Sequence, residues 1–464
     1  MTSNDNINDP ENSDSHDENN NPSSPFGFSL DPEAISGMLN DMMGSSQLNF
    51  ASGISGLGGG TESSPMGIAQ RVAADIAARE IEDDPSANEE QPSPGQQDPM
   101  AEIMNIMALL ATPPTKTAAL AIDPSFTDRC TQIYPAAQSY VSQQASADDV
   151  SALPLVVTDR VSWTHDYITS MQGPLEEASK SLSPSFGGGQ EEPIEPDETQ
   201  PFGFDLQSII SRTVAPMMFG VQAGTMLGFL SHRAYGDDDV LLPTKLPARV
   251  GMIASAVQKF STDWSVPTDE AILYFLILQT LRAHIRNQSW LTARLDNLCT
   301  RYVAAYELNP YKLEELMSDM DMNNPESVMA INVTPEQMFQ TLRTPAHDIL
   351  DEEIGRVSSL HDAYVEWVMH KGLEPLLPNY RIIQEARKRI TVTTSDADRF
   401  VEQLFGVAVS NKSRDIAAAF IDGVVERGSE NLLHELWYKE EMIPTESEFA
   451  APGLWLARLE MMEN

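Results

Sequence analysis

The chain has 464 residues, 41% of them apolar, enough for one large domain or two ordinary ones with unstructured ends. Its formal charge of −40 excludes a partner held through nucleic-acid phosphates and would be repelled by an anionic membrane surface. A diffuse negative field of this kind is a solvated surface, not a metal site.

Residues 1–114 are rich in Asn, Ser, Asp, Pro and Gly and carry almost no aromatics. Such a composition cannot bury enough apolar surface to offset chain entropy, so a disordered acidic arm is expected. Within it, Pro32–Phe50, Ile68–Ile81 and Met100–Leu110 space apolar residues three or four apart and read as short helices, transient by preference, the alternatives being that they dock on the body or on a partner. The opening MTSNDNINDPENSDSHDENN has neither a basic n-region nor an apolar core, so it does not read as a secretory signal. Cys130 and Cys299 form no CxxC pattern and are expected as reduced core thiols; a cytoplasmic location follows.

Residues 115–462 read as a helical domain, with a Gly/Pro/acidic linker over 181–205. Asp159, after the extended LPLVV, is positioned to N-cap a helix. From 206 onward the predicted helices are 207–233, 248–261, 268–285, 289–307, 311–318, 335–344, 346–371, 378–390, 396–405, 412–427, 429–437 and 446–462. The run Thr213–Leu230 reaches about 18 residues, the lower limit of a membrane span, but contains Pro216 and Gln222 and reads as a buried helix. Gly220, Gly224 and Gly228 share one face of it, where another backbone can approach closely. No segment alternates with period two, so the fold class is all-α, with at most a short hairpin near Val240–Leu242.

Five segments together carry a resemblance: 217–243, 269–295, 358–369, 404–412 and 433–459. Their most specific pieces are Trp290-Leu291, the spacing from Trp437 to Pro444-Thr445, and the closing Trp455. The chain resembles the actinobacterial zincin-like family, described as zinc-dependent metallopeptidases or hydrolases. That resemblance implies a metal helix with His-Glu-x-x-His, or x-Glu-x-x-His, followed after nine residues by Trp-Leu. Two histidines at i and i+4 would face one zinc ion, and the glutamate would act as general base. Here the stretch is LILQTLRAHIRNQSWL. One register puts the family positions at Ile277, Leu278 and Leu281; the next puts them at Leu278, Gln279 and Arg282. Anchoring on His284 restores no glutamate. At the third family position the chain reads Leu360-His361-Asp362-Ala363-Tyr364-Val365-Glu366, with Asp362 in place of the carboxylate ligand. Aspartate is shorter than glutamate by one methylene, a change of about 1.5 Å that a metal bond does not absorb without backbone movement.

His284, His361, Asp362, Tyr364 and Glu366 are therefore the candidate pocket, with His284 and Asp362 the only weak metal candidates. His284 also reads simply as a half-buried core histidine. Asp362 and Glu366 share a helix face, whereas the adjacent pairs His361/Asp362 and His347/Asp348 diverge by about 100° and do not chelate alone. There is no GxSxG nucleophile; Gly187–Gly189 lies in a polar linker, and Asp237–Asp239 lacks the spacing of a calcium loop and reads as a turn or N-cap. The 22 methionines fill a core by default, or form an adaptable surface in clusters such as Met461-Met462. The expectation is a zincin-like fold with a degenerate site, retained to bind a protein or peptide partner. No cofactor is expected, zinc being the one the resemblance implies. The alternative is an active metal-dependent hydrolase or peptidase with a rearranged site.

Overall fold

The segment Thr268–Arg286 is apolar on nearly every face, and a helix of that kind is stable only when other elements surround it. The computed structural model describes residues 64–79, 118–182, 215–307, 342–392, 396–407 and 411–463, all within one unit of the chain. In chain order the helices are α1 (Pro65–Ala78), α2 (Pro124–Ala145), α3 (Arg160–Ser170), α4 (Gln172–Leu182), α5 (Ala215–Arg233), α6 (Ala254–Asp263), α7 (Thr268–Arg286) and α8 (Ser289–Ala304). They continue with α9 (Pro345–His370), α10 (Tyr380–Val392), α11 (Asp396–Phe405), α12 (Asn411–Glu426), α13 (Glu430–Leu433), α14 (Glu446–Ala450) and α15 (Pro452–Glu463). Two strands, β1 (Leu155–Thr158) and β2 (Val250–Ile253), and three short 3-10 helices (Asp148–Ala152, His434–Trp437 and Glu440–Met442) complete the described elements. The fold is all-α in class, as expected.

Fifteen of the nineteen residues of α7 are buried, which makes it the central element. It packs against α2, α6, α8, α9 and β2. Tyr235, Phe260 and Phe275 stack at one end: the Tyr235 and Phe275 rings lie 4.1 Å apart and nearly parallel, with Phe260 edge-on to both. The other helices enter where their sequences signal. Asp159 caps α3, its carboxylate accepting from the Val161 and Ser162 amides, and also from Leu120. His347 closes the first turn of α9 by accepting from the Thr344 amide at 3.0 Å.

Three expectations need correction. No hairpin forms at Val240–Leu242. Instead β1 and β2 pair in parallel, Leu155 opposite Val250 and Thr158 opposite Ile253. Runs of four residues are too short to show alternation, and β2 is buried throughout, so its period is invisible in sequence. Second, the stretch read as a transient helix at Ile68–Ile81 is the helix Pro65–Ala78, capped by Ser64 and docked on α3 and α5. Its apolar stripe is satisfied by the glycine face of α5, a partner too distant in sequence to be read locally. Third, two predicted helices break: 446–462 is two helices, interrupted at Ala451, and 248–261 begins as the strand Val250–Ile253, its helix being Ala254–Asp263. The predicted helices at 311–318, Pro32–Phe50 and Met100–Leu110, most of the linker 181–205 and the rest of the arm lie outside the described residues.

Among the described residues no helix is long and apolar enough to cross a membrane. The run at 213–230 contributes α5, part of the packed body. Both cysteines are free and buried, and burial pushes the Cys130 thiol up to about 12.

Candidate functional site

The site is built from α7 upward. Ile277 and Leu281 are fully buried and Leu278 nearly so, all within the main core. In this register the family positions carry hydrocarbon, with no lone pair for a metal. In the other register Gln279 and Arg282 face the turn that follows α5. There Asp237, Asp238 and Asp239 each meet a different arginine. Arg249 donates to Asp237 from Nε at 2.8 Å, Arg286 pairs with Asp238, and Arg282 donates to Asp239 at 2.6 Å. Gln279 joins the same turn: its amide oxygen accepts from the Asp238 backbone at 3.2 Å and its nitrogen donates to Asp239 at 3.0 Å. The acidic turn read in sequence as a simple turn or N-cap is thus the acceptor half of an ion-pair ladder.

Two glycines make the ladder possible. A side chain on Gly251 would collide with the Asp237 carboxylate, and one on Gly236 would collide with the Gln279 amide and the Gly251 carbonyl. Only a residue without Cβ lets these groups approach. Burial pushes the Asp238 carboxyl up to about 6 against the pull of the Arg286 charge, with Asp237 adding to the rise.

The other candidates gather on α9 and around the tight turn Leu433–Tyr438. His361 is buried and its Nδ1 lies 3.2 Å from Asp362 Oδ1. The Asp362 side chain keeps 34% of its exposure, so it is the open member of the pair. Burial works to raise the Asp362 carboxyl, but the hydrogen bond and charge of His361, together with Arg282 and Arg414, outweigh it and hold it below the usual range. Burial holds the His361 imidazole below its ordinary value, Asp362 opposing. Tyr364 is buried, its hydroxyl 3.1 Å from His434 Nδ1. Burial, helped by the nearby Lys371 charge, lowers His434 to about 4. Glu366 is exposed.

Trp437 connects these groups. Its ring lies 6.0 Å from that of His361 and 5.9 Å from that of Tyr364, and its carbonyl accepts from the Trp290 indole at 2.7 Å. Its own indole N–H is buried without an acceptor among the described residues. His284, by contrast, is buried edge-on to Tyr438, with ring centres 6.4 Å apart. Thus α7 and α9 do touch, as the composite site required, but His284 faces Tyr438 while Arg282 is the α7 side chain whose charge acts on His361 and Asp362.

These residues do not fit a zinc ion at the family position. Isoleucine and leucine offer no donor, the Gln279 amide is bonded at both ends, and a guanidinium cannot ligate. Among the described residues no three His, Cys, Asp or Glu side chains are grouped to hold a metal. Sequence reasoning missed His434, Arg414 and the Asp–Arg pairings. The one sequence signal was the closeness of His434 to Trp437, already quoted as a specific piece of the resemblance.

No curated protein matches the chain. A crystal structure from Chloroflexus aurantiacus, assigned provisionally as a hydrolase with a novel fold, is similar with a TM-score of 0.49 and 14% identity, covering 85% of this chain and 98% of that one. Residues 114–456 match the family described as zincin-like metallopeptidases. That match covers more than half of the sequence, and the chain therefore belongs to the zincin-like metallopeptidase family.

Proposed function

We propose that this chain is a zincin-like scaffold used for binding, with zinc-dependent hydrolysis lost, and that a protein or peptide partner contacts the surface of α9 at Asp362. The observation that carries the reading is the fate of the metal helix. Gln279 and Arg282 are committed to Asp238 and Asp239, so the atoms that would face an ion instead hold a turn. This part of α9 retains recognition chemistry: an ionised, partly open carboxylate at Asp362 and an exposed Glu366 one turn on, with Trp437, whose indole N–H has no acceptor among the described residues, packed against the neighbouring His361 and Tyr364. An acidic rim of this kind suits a basic peptide segment.

One observation favours the other reading, a hydrolase with a rearranged site. His361 held neutral against ionised Asp362 is the arrangement of an oriented general base. Elemental mass spectrometry of protein purified without added metal or affinity tag, paired with a peptidase screen, separates the two. The binding reading expects no stoichiometric metal and no turnover. Zinc near one per chain, with activity lost in Asp362→Asn, would overturn it.

A further inference from the structure

The family match begins at residue 114, yet the described structure begins with a helix at Pro65–Ala78 that is packed into the family body. Its packing has a specific form. Gly220, Gly224 and Gly228 of α5 face Pro65, Ala69 and Ala73 of α1 in step, four residues at a time along both helices. A Cβ at Gly220 or Gly224 would run into the backbone of Pro65 or Ala69, and one at Gly228 into Ala73 and Ile76. The two helices thus run parallel at the closest approach that backbones permit. A second stripe on α1, Ile68, Val72 and Ile76, closes over Val221 and Phe229 as a small cluster, with Phe229 also touching the main core, to which Ala69 and Ala73 belong.

Polar ties to the body include Gln70 Nε2 donating to Thr169 at 3.1 Å and His232 Nε2 lying 3.0 Å from the Ile76 carbonyl. Packing is incomplete at the N-terminal end of the helix, where a cavity of about 240 Å³ remains between Pro65, Met66, Leu175, Phe219 and Ala223. Residues 80–117 separate the helix from the next described segment, a covalent reach of up to about 120 Å if fully extended.

We propose that the groove formed by α3, α4 and α5 is a helix-recognition site whose resident ligand is residues 64–79, and that this segment detaches from a body that stays folded without it. The chemistry recognised is an amphipathic helix with alanine or glycine at every fourth position beside a β-branched stripe. Shape gives the specificity, because only small residues pass over the glycine ridge. Covalent attachment keeps the segment beside its own groove, so it stays seated there unless a competing helix displaces it. This inference does not depend on whether the site at Asp362 is catalytic.

The test uses the full chain with a protease site placed between Arg79 and Ala118, and a fluorescein-labelled peptide of residues 62–80. After cleavage and dilution to nanomolar concentration, the N-terminal piece is expected to leave on gel filtration while the near-UV circular dichroism of the remainder is kept. The labelled peptide should then bind saturably, measured by anisotropy. A peptide carrying Ala69→Leu and Ala73→Leu should bind at least about 100-fold more weakly, as two leucines cannot pass the ridge. Placing these changes in the peptide avoids any effect on folding of the body. Loss of the near-UV signal on release would show α1 to be integral and overturn the proposal. Failure of the labelled peptide to exchange within a day, or equal binding of the leucine peptide, would overturn it as well.

Discussion

The α7 and α9 sides of the site differ in how their polar groups are met. On the α7 side the carboxylates are paired: Asp237, Asp238 and Asp239 face Arg249, Arg286 and Arg282, nearly sealed from water, with only Asp238 Oδ2 and Arg282 Nε of these groups left without a hydrogen bond among the described residues. On the α9 side the groups stay open or frustrated. Asp362 is a third exposed, His361 and His434 are held neutral by burial, and the Trp437 indole lacks an acceptor among the described residues. Buried ion pairs fix geometry and leave little open to a ligand, whereas a partly exposed carboxylate keeps binding chemistry at some cost in stability. On the proposed reading, reaction chemistry left the helix that would carry the ion, and recognition chemistry remained on its neighbour.

The sharpest way to break this contrast is to restore the family letters with Leu278→His, Gln279→Glu and Arg282→His together. The variant removes the Arg282–Asp239 pair and puts a carboxylate against the acidic turn, so a loss of more than about 4 kcal/mol in urea unfolding is expected. Stoichiometric zinc with stability intact would show that the ladder has no structural role.

Arg286→Met should cost slightly less, about 3 kcal/mol at pH 7, by depriving the buried Asp238 carboxyl of its paired cation. Asp238 titrates at about 6, above its unfolded value, so folding favours its protonated form. Losing Arg286 raises the Asp238 carboxyl further, so the penalty should shrink as pH falls from 8 toward 6 and level off below, read as converging melting temperatures of variant and wild type. An equal penalty at both pH values would place the carboxylate elsewhere than in this pair.

The α9 side predicts the opposite sign. His434 titrates at about 4, below its unfolded value, so its contribution is present above pH 6.5 and is lost as pH falls toward 4. His361 and His347 are lowered by burial too and act in the same direction. His434→Phe should flatten the acid-side slope by about 2 kcal/mol between pH 6.5 and 4. An unchanged slope would mean that His434 is not the acid-sensitive group.

The smallest effect belongs to Asp362→Asn. Because the side chain is partly open, its change in stability should stay under about 1 kcal/mol, while binding of a basic peptide should weaken severalfold. A large stability loss would place Asp362 with the ladder rather than opposite it.

Much of the helical frame was legible in sequence, since helix signals are local. Asp159 was read as a cap and is one; 346–371 and 396–405 were read as helices and appear as Pro345–His370 and Asp396–Phe405. The missing metal letters on α7 were also visible, because a zincin helix declares itself within five residues. The candidate site was legible only as a set of residue types. Asp362 and His361 were named, but not the neighbours that set their chemistry.

What the sequence alone determined, then, is helix content, the acidic charge and the absence of paired histidines on α7, all properties of composition or of spacing under one or two turns. Only the tertiary structure decided that Gln279 grips Asp238 across 41 positions, that Tyr364 meets His434 across 70, and that residues 65–78 lie on the glycines of α5. It also decided the parallel pairing of β1 with β2, a contact between elements almost a hundred residues apart. Each of these depends on which side chains packing brings face to face, and no local period in the chain encodes that choice.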